Sequence, residues 1–364
     1  MNRAPAAFAI PGDIATLTGG YVYERRLLEG LRDLGHDMQH LELPASFPDP
    51  PAGDMADTVA ALQGVDPGRV LILDGFLSGA VETGGLQGVR APMVAMVHHP
   101  LALESGLAAD RRAHLFATER ANLALMEHVL VPSPHTRRIL IEDYAVPPAR
   151  ISIARPGVDP PRLPPAPVDP PLILSVGILH PRKGHDTLIA ALEGLADLDW
   201  QAVIVGNPWD AAHAGALAVQ CRASPEAGRI RLAGRVTDDA LQRLYAEASI
   251  FALATRHEGY GIVFDEALLR GLPVVSCRVG AVPDTVPGAA GLLVPPDDPE
   301  AFAAALRRLL QDRGLRAGLA RAARQAGRGL TDWRGTAAVA SGVIAQIAQA
   351  GRRDAQAARA GTRG

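Results

Sequence analysis

Aromatic residues are scarce, at 4% of 364 residues, so a folded core has to be built mainly from Ala, Leu and Val. Only two cysteines are present, Cys221 and Cys277. That excludes a disulfide framework and a cysteine metal cluster, and it fits a reducing cytosol. No stretch approaches the roughly 20 apolar residues that span a bilayer, so any membrane contact is expected to be peripheral. Residues 1–10 lack a long apolar run behind a basic start, and no export signal is expected there. Charge is nearly balanced, with 36 Lys and Arg against 39 Asp and Glu, a formal net charge of -3. The basic surplus of a nucleic-acid binder is missing. What is present is ordinary globular material, 48% hydrophobic and 21% charged, in a chain longer than one core usually holds. Two domains follow.

Both halves alternate short apolar runs with helix-period stretches, which predicts parallel sheets covered by helices. In the first half, strands are expected at 8–10, 38–43, 70–73, 93–97 and 129–132. A helix over 21–34 is expected to stop at Gly35. The segment 156–171 carries Pro160, Pro161, Pro164, Pro165, Pro167, Pro170 and Pro171, which suit neither a helix interior nor a central strand. It reads as a stiff linker. The second half restarts the pattern. Strands are expected at 172–176, 202–205, 230–232, 250–252, 273–276 and 292–294, with helices at 186–195, 238–248 and 300–310. The Ala/Arg/Gly-rich stretch 351–364 is expected to be a disordered tail.

The most informative segment runs from His257 to Ser276. It reads as a glycine-flanked loop, a short helix and a buried strand. Gly259 and Gly261 let the backbone approach a ligand closely. The helix after them, beginning near Ile262, offers unpaired amides and a positive dipole end suited to phosphate. Glu258 stands before the turn and Glu266 on the helix, so two carboxylates could accept hydrogen bonds from a polyhydroxylated ligand.

This segment resembles the signature of the retaining glycosyltransferases of family four, carried by Glu258, Gly259, Tyr260, Gly261, Glu266, Gly271, Pro273 and Val274. The resemblance implies the GT-B fold, α/β, with two Rossmann-like domains whose parallel sheets face a central cleft. The first domain is then 1–166, joined by a crossing helix at 333–350 that begins at Trp333. The second, nucleotide-sugar-binding domain is 167–332. The segment from Ser175 to Gly184 is similar to the family's strand and loop that bring a basic residue to the donor diphosphate, here Lys183. The family's usual arginine after the strand glycine is replaced by Ile178, and Arg182 is the nearest substitute. Gly234 to Tyr245 resembles the loop and helix near the base. Gly280-Ala-Val-Pro-Asp284 resembles a Gly-x-Pro-Glu turn, with Asp284 in place of glutamate. Asp298 is explained as a helix cap.

In the first half, Gly19 and Gly20 can admit a phosphate or an acceptor against backbone amides. The spacing is not the dinucleotide fingerprint, which argues against an oxidoreductase. His98 and His99 follow an apolar strand, where ligand-facing residues occur in open α/β sheets. The resemblance points to His98 for donor-sugar contact, with His99 as the alternative. Asp13 and Glu24 are weaker candidates for acceptor contact.

The resemblance implies transfer of a sugar from a nucleoside-diphosphate sugar, UDP- or GDP-linked, to an acceptor hydroxyl. Glu258, His98 and Lys183 would be the catalytic set. Gly19, Gly20, Arg182, Lys183, Gly259, Tyr260, Gly261, Ile262 and Glu266 would bind the donor. No metal and no cofactor beyond the sugar nucleotide are expected, and Asp197-Leu-Asp199 reads as a chance D-x-D. The acceptor, whether glycan, lipid or small molecule, is not specified. Arg111, Arg112, Arg120, Arg137 and Arg138 alternate with Glu104, Asp110, Glu119 and Glu127, which reads as a solvated, salt-bridged surface rather than an interfacial helix. A cytoplasmic location is the expectation, with the inner membrane face as the place of any peripheral contact. A sugar-nucleotide epimerase, a phosphorylase and a non-catalytic nucleotide-sugar-binding relative are the alternatives.

Overall fold

The computed structural model describes residues 3–104 and 106–361, with side chains through residue 353. The chain divides into two compact units, 1–157 with 331–364, and Val158–Leu330.

The first unit opens with β1 (Ala6–Pro11), α1 (Gly19–Asp33), β2 (Met38–Leu43), α2 (Ala52–Gln63) and β3 (Val70–Asp74). It continues through α3 (Gly75–Ala80), α4 (Thr83–Gln87), β4 (Met93–Met96), α5 (Ala109–Ala124), β5 (His128–Val131), α6 (Pro134–Glu142) and β6 (Ile151–Ile153). All strands are parallel, in the order β2-β1-β3-β4-β5-β6. The central strands are apolar throughout because both faces of the sheet are covered. Ala7, Ala9, Leu71, Leu73 and Ala95 join one core. Phe8, Ile10, Val70, Ile72, Val94 and Met96 join the other, with Leu27 and Leu31 of α1.

The second unit repeats the plan. Its elements are β7 (Leu172–Val176), α7 (His185–Glu193), β8 (Gln201–Val205), α8 (Ala211–Ala223), β9 (Ile230–Gly234), α9 (Asp238–Glu247) and β10 (Ala248–Leu253). Then follow α10 (Ile262–Leu269), β11 (Val274–Cys277), α11 (Val282–Thr285), β12 (Gly291–Val294), α12 (Pro299–Gln311) and α13 (Arg313–Gly327). The parallel order is β12-β11-β10-β7-β8-β9. Ile173, Ile204, Ile250 and Val275 pack under α7 and α12. Leu174, Val203, Phe251 and Val274 fill the opposite face with Phe264 of α10 and Ala323 of α13. Phe251 stacks on Tyr245 and meets Phe264 edge-on, so three of the few aromatic rings pack at one place.

The chain reverses its direction of travel across each sheet once, between β1 and β3 and between β7 and β10. Open α/β sheets bind ligands outside the carboxyl ends of the strands at such switch points. Both groups of expected site residues stand there.

Three expectations need correction. The units change over at Gly157/Val158 and Leu330/Thr331 rather than at 166/167 and 332/333. The proline-rich segment belongs with the second unit because it is stitched to it. Ala166 N donates to Ala246 O at 2.7 Å, Val168 N donates to Glu247 O at 3.1 Å, and Arg162 pairs with Asp238 and Asp239. The expected tail at 351–364 is helical as far as Gly361, in α14 (Trp333–Gly361), and residues 362–364 lie outside the described residues. Ala supports helix strongly enough to carry the run past Gly351. Ala337, Ala340, Val343 and Ile344 of α14 are buried in the core that contains Leu27 and Leu31. Third, Glu119 is not on a solvated surface. It is fully buried, and it accepts from Leu101 N at 3.1 Å.

Candidate functional site

In the second unit, the loop after β7 closes in a 3-10 turn, Pro181–Lys183, capped by His180, whose Nδ1 accepts from Arg182 N at 3.2 Å. Gly184 follows at φ +64, and a Cβ there would stand 1.9 Å from Ala254 O. Only glycine permits that approach. It brings Lys183 beside the end of β10, where Lys183 Nζ donates to Glu258 Oε1 at 2.6 Å. The hydroxyl of Thr255 lies 3.1 Å from the same oxygen. Glu258 is 4% exposed. Burial alone would raise its pKa, but Lys183, Arg182 and Thr255 together outweigh burial and hold it below the ordinary carboxylate value. The backbone is fixed as firmly as the side chain. Ala281 N donates to Glu258 O at 2.9 Å, and a Cβ on Gly280 would come within 2.3 Å of that oxygen. The turn similar to Gly-x-Pro-Glu therefore acts as a floor under Glu258.

Gly259 lies between Glu258 and Tyr260, and Gly261 is the N-cap of α10, with no side-chain bond to the first amides. Ile262 opens the helix. Tyr260 is mostly buried, and its hydroxyl donates to Asp265. The hydroxyl is thereby turned inward, and the ring serves as packing. Glu266 Oε2 accepts from the hydroxyl of Tyr245 on α9 at 2.7 Å. Arg270 stacks over the Tyr245 ring at 4.4 Å and donates to Glu266 O at 2.8 Å. Burial raises the Glu266 pKa, with Tyr245 and Arg270 opposing. Arg182 Nη1 donates to His257 O at 3.4 Å and acts on Glu258 through its charge. Arg182 and Lys183 are thus cations at this switch point, while Ile178 supplies none. The roles of Thr255 and of Tyr245 as a clamp on Glu266 were not legible in the sequence, since neither sits at a characteristic spacing. Asp298 caps α12, accepting from Ala301 N at 2.8 Å. Asp197 is held by Arg307 through two bonds at 2.6 and 2.7 Å, a surface pairing rather than a metal site.

In the first unit, Gly19 and Gly20 form the first turn of α1, capped by Thr18. His98 stands directly beyond β4, with its ring 3.6 Å from the place a Gly20 Cβ would take. His98 Nε2 lies 3.3 Å from Glu24 Oε1. Glu24 and Asp74 are both buried beside this ring. Donor atoms of Glu24, Asp74 and His98 all lie within 4.8 Å of one another. A divalent ion could bridge that spacing, and so could a proton shared between the two carboxyl groups. Burial pushes Glu24 up to about 7 and Asp74 well above the carboxylate range, and it lowers His98. His99 turns away from this group toward Glu104 Oε2, at 3.0 Å. Asp13 accepts from Ala15 N in the exposed loop before α1. Asp74 is the residue that sequence reasoning missed. A carboxylate ending an apolar strand was the available signal.

No helix among the described residues is long and apolar enough to cross a membrane.

Residues 170–312 match the family model described as glycosyl transferases group 1, and residues 75–162 match glycosyltransferase family 4. A D-inositol 3-phosphate glycosyltransferase of Kineococcus radiotolerans is 35% identical over 220 residues, which is 52% of this chain and 51% of the relative. One from Xylanimonas cellulosilytica is 37% identical over 185 residues, 50% of this chain and 43% of the relative. The chain spans about half the length of these curated relatives. Among solved structures, a sucrose-phosphate synthase from Thermosynechococcus elongatus superposes with a TM-score of 0.80 at 23% identity, covering 98% of this chain and 100% of its own. Anabaena HepE in complex with UDP does so with a TM-score of 0.73 at 17% identity, covering 94% and 100%. Those likenesses establish the fold as GT-B. Matched by family models in both units, the chain belongs to the group 1, family 4 glycosyltransferases.

Proposed function

We propose that the protein transfers a sugar from a nucleoside-diphosphate sugar to an acceptor hydroxyl with retention of anomeric configuration. The observation that carries this reading is the buried, ionised Glu258, clamped by Lys183 at the switch point of the second sheet, beside the uncapped first turn of α10. The diphosphate suits the α10 amides, Lys183 and Arg182, and Glu266 suits the ribose hydroxyls. Lys183 would offset the charge that develops on the leaving phosphate. The sugar C1–phosphate bond breaks, the C1–acceptor oxygen bond forms on the same face, and the acceptor proton passes to the departing phosphate oxygen. No side chain is required as a nucleophile. For His98 the family resemblance supports a sugar-contacting role, and for Gly19 and Gly20 a backbone contact to phosphate.

The donor is taken as UDP- or GDP-linked, and the HepE complex with UDP supports the first. The reaction is assigned to the cytoplasm, at the inner membrane face if the acceptor is a lipid. The relatives' name makes an inositol phosphate one acceptor to include. The test is a transfer assay over a panel of nucleotide sugars and acceptors, with product configuration read by proton NMR. A product of retained configuration, abolished by Glu258→Ala, is expected. An inverted product refutes the mechanism. A folded protein that forms no product with any pair refutes the activity.

A further inference from the structure

We propose that Glu24 and Asp74 share one proton and act as positioning residues for His98, so that the ionisation of Glu24 decides which imidazole nitrogen of His98 carries hydrogen. The proposal rests on the reading of His98 as a sugar-contacting group, but its structural core can be tested without any sugar.

The geometry is specific. The three side chains come from three elements that converge at the switch point of the first sheet, α1 for Glu24, the end of β3 for Asp74 and the end of β4 for His98. Glu24 and Asp74 are 2% and 5% exposed. Two carboxylates so close and so dry cannot both ionise. Asp74 Oδ1 accepts from Phe76 N at 2.7 Å, which favours its ionised form, but burial and the neighbouring Glu24 outweigh that bond and raise its pKa well above the carboxylate range, so the shared proton is assigned to Asp74. Glu24 then presents Oε1 to His98 Nε2 at 3.3 Å.

Two states follow from the inventory of donors. With Glu24 neutral, its hydroxyl donates to Nε2, and neutral His98 must carry hydrogen on Nδ1. With Glu24 ionised, Nε2–H donates to the carboxylate, and Nδ1 becomes an acceptor. A sugar hydroxyl meeting Nδ1 would find a donor in the first state and an acceptor in the second. Burial sets Glu24 to exchange between them at about pH 7, and burial lowers the His98 pKa, with Asp74 opposing.

The surroundings keep the ring still. The Tyr23 ring meets the His98 ring edge-on at 5.2 Å, and Trp333 of α14 backs Tyr23 at 5.8 Å. Thr136 at the start of α6 donates its hydroxyl to His98 O at 3.3 Å. The titratable groups around the pair are Tyr21, whose hydroxyl donates to Pro11 O at 2.6 Å, Tyr23, whose hydroxyl donates to Ala154 O at 2.8 Å, and Asp13 from the loop before α1. Burial and the nearby carboxylates hold both phenols protonated across the working range.

The experiment is nitrogen-15 NMR of the full chain labelled at histidine, from pH 5.5 to 9, with His98→Gln used to assign the signal. In the wild type, His98 is expected to pass from the Nδ1–H to the Nε2–H form with a midpoint near neutrality, without becoming imidazolium. Glu24→Gln should hold one tautomer throughout. Asp74→Asn, a neutral donor in the same place, should keep the exchange. Should Glu24→Gln fail to fold, Asp74→Ala serves instead. Removing the donor to Glu24 should move the midpoint upward. A single wild-type tautomer over the whole range overturns the proposal, as does an exchange unchanged in Glu24→Gln. So does a displacement of the His98 signal by zinc alone, because an ion would then occupy the place given to the proton. If sugar transfer is found, its pH profile should lose a near-neutral inflection in Glu24→Gln while thermal stability is kept. Absent transfer with the tautomer exchange intact refutes the proposed activity and leaves the carboxyl pair as described.

Discussion

Replacing Lys183 with Met tests the buried ion pair on which the second unit's site is built. The substitution keeps the length of the side chain and removes the donor 2.6 Å from Glu258 Oε1. Glu258, 5% exposed at its side chain, is then left with Thr255 and the charge of Arg182. Breaking one partner of a buried pair costs about 3–5 kcal/mol, because an uncompensated charge remains. For a unit of this size the melting temperature should fall on the order of 10 °C. The loss has a defined pH dependence. In the wild type the folded pKa of Glu258 is depressed, so its stabilisation is complete above the unfolded value, about 4.5, and lost as pH falls through the folded value. In Lys183→Met burial dominates and raises that pKa. The penalty then grows as pH rises from about 4.5 through the new folded value. Urea unfolding at pH 5 and pH 8 should therefore show part of the difference at the first, where the wild-type stabilisation is already missing from the variant, and the full difference at the second. Adding Glu258→Gln should recover most of the loss. Equal destabilisation at both pH values, or losses that merely add in the double variant, would refute the reasoning.

Two further outcomes follow from buried chemistry and backbone. Glu119 is pushed up to about 8 by burial, with Tyr144 and Leu101 N opposing. A raised carboxyl pKa makes stability fall as pH rises from about 4.5 to the folded value, by roughly 5 kcal/mol at most, and the cost is constant above it. Glu119→Gln should flatten the melting temperature between pH 5 and 8 and stabilise the protein at pH 8.5; an unchanged slope would contradict the burial argument. Gly184→Ala combines a left-handed φ with a Cβ driven into Ala254 O. It should cost at least ~2 kcal/mol in urea unfolding and misplace Lys183; wild-type stability would show that the loop relaxes freely.

The sheets were the most legible part of the molecule, for a physical reason. Strands covered on both faces are apolar runs of fixed length, and the expected 38–43 and 172–176 coincide with β2 and β7. Helices α2, α4 and α8 carried weak signals. In α2, for example, only Thr58 and Leu62 are buried, so no strong apolar stripe marks it. The proline-rich segment announced a linker, but two backbone hydrogen bonds decide which unit holds it, and those depend on tertiary contact. At the site, Glu258, Lys183, Glu266 and His98 could be named because a characteristic spacing or a strand end marks them. The inward turn of Tyr260 toward Asp265, the Tyr245 clamp on Glu266 and the pairing of Asp74 with Glu24 were not read there, because each depends on side-chain contacts that only the fold sets.

The central claim is that Lys183, Glu258, Glu266 and the first turn of α10 form a nucleoside-diphosphate site. Isothermal titration with UDP, GDP and ADP tests it most directly, on wild type, Glu266→Ala and Lys183→Met. One diphosphate should bind the wild type, and both variants should bind it at least about tenfold more weakly, near 1.4 kcal/mol each. No binding to folded wild type, or equal affinity in the variants, would contradict the claim.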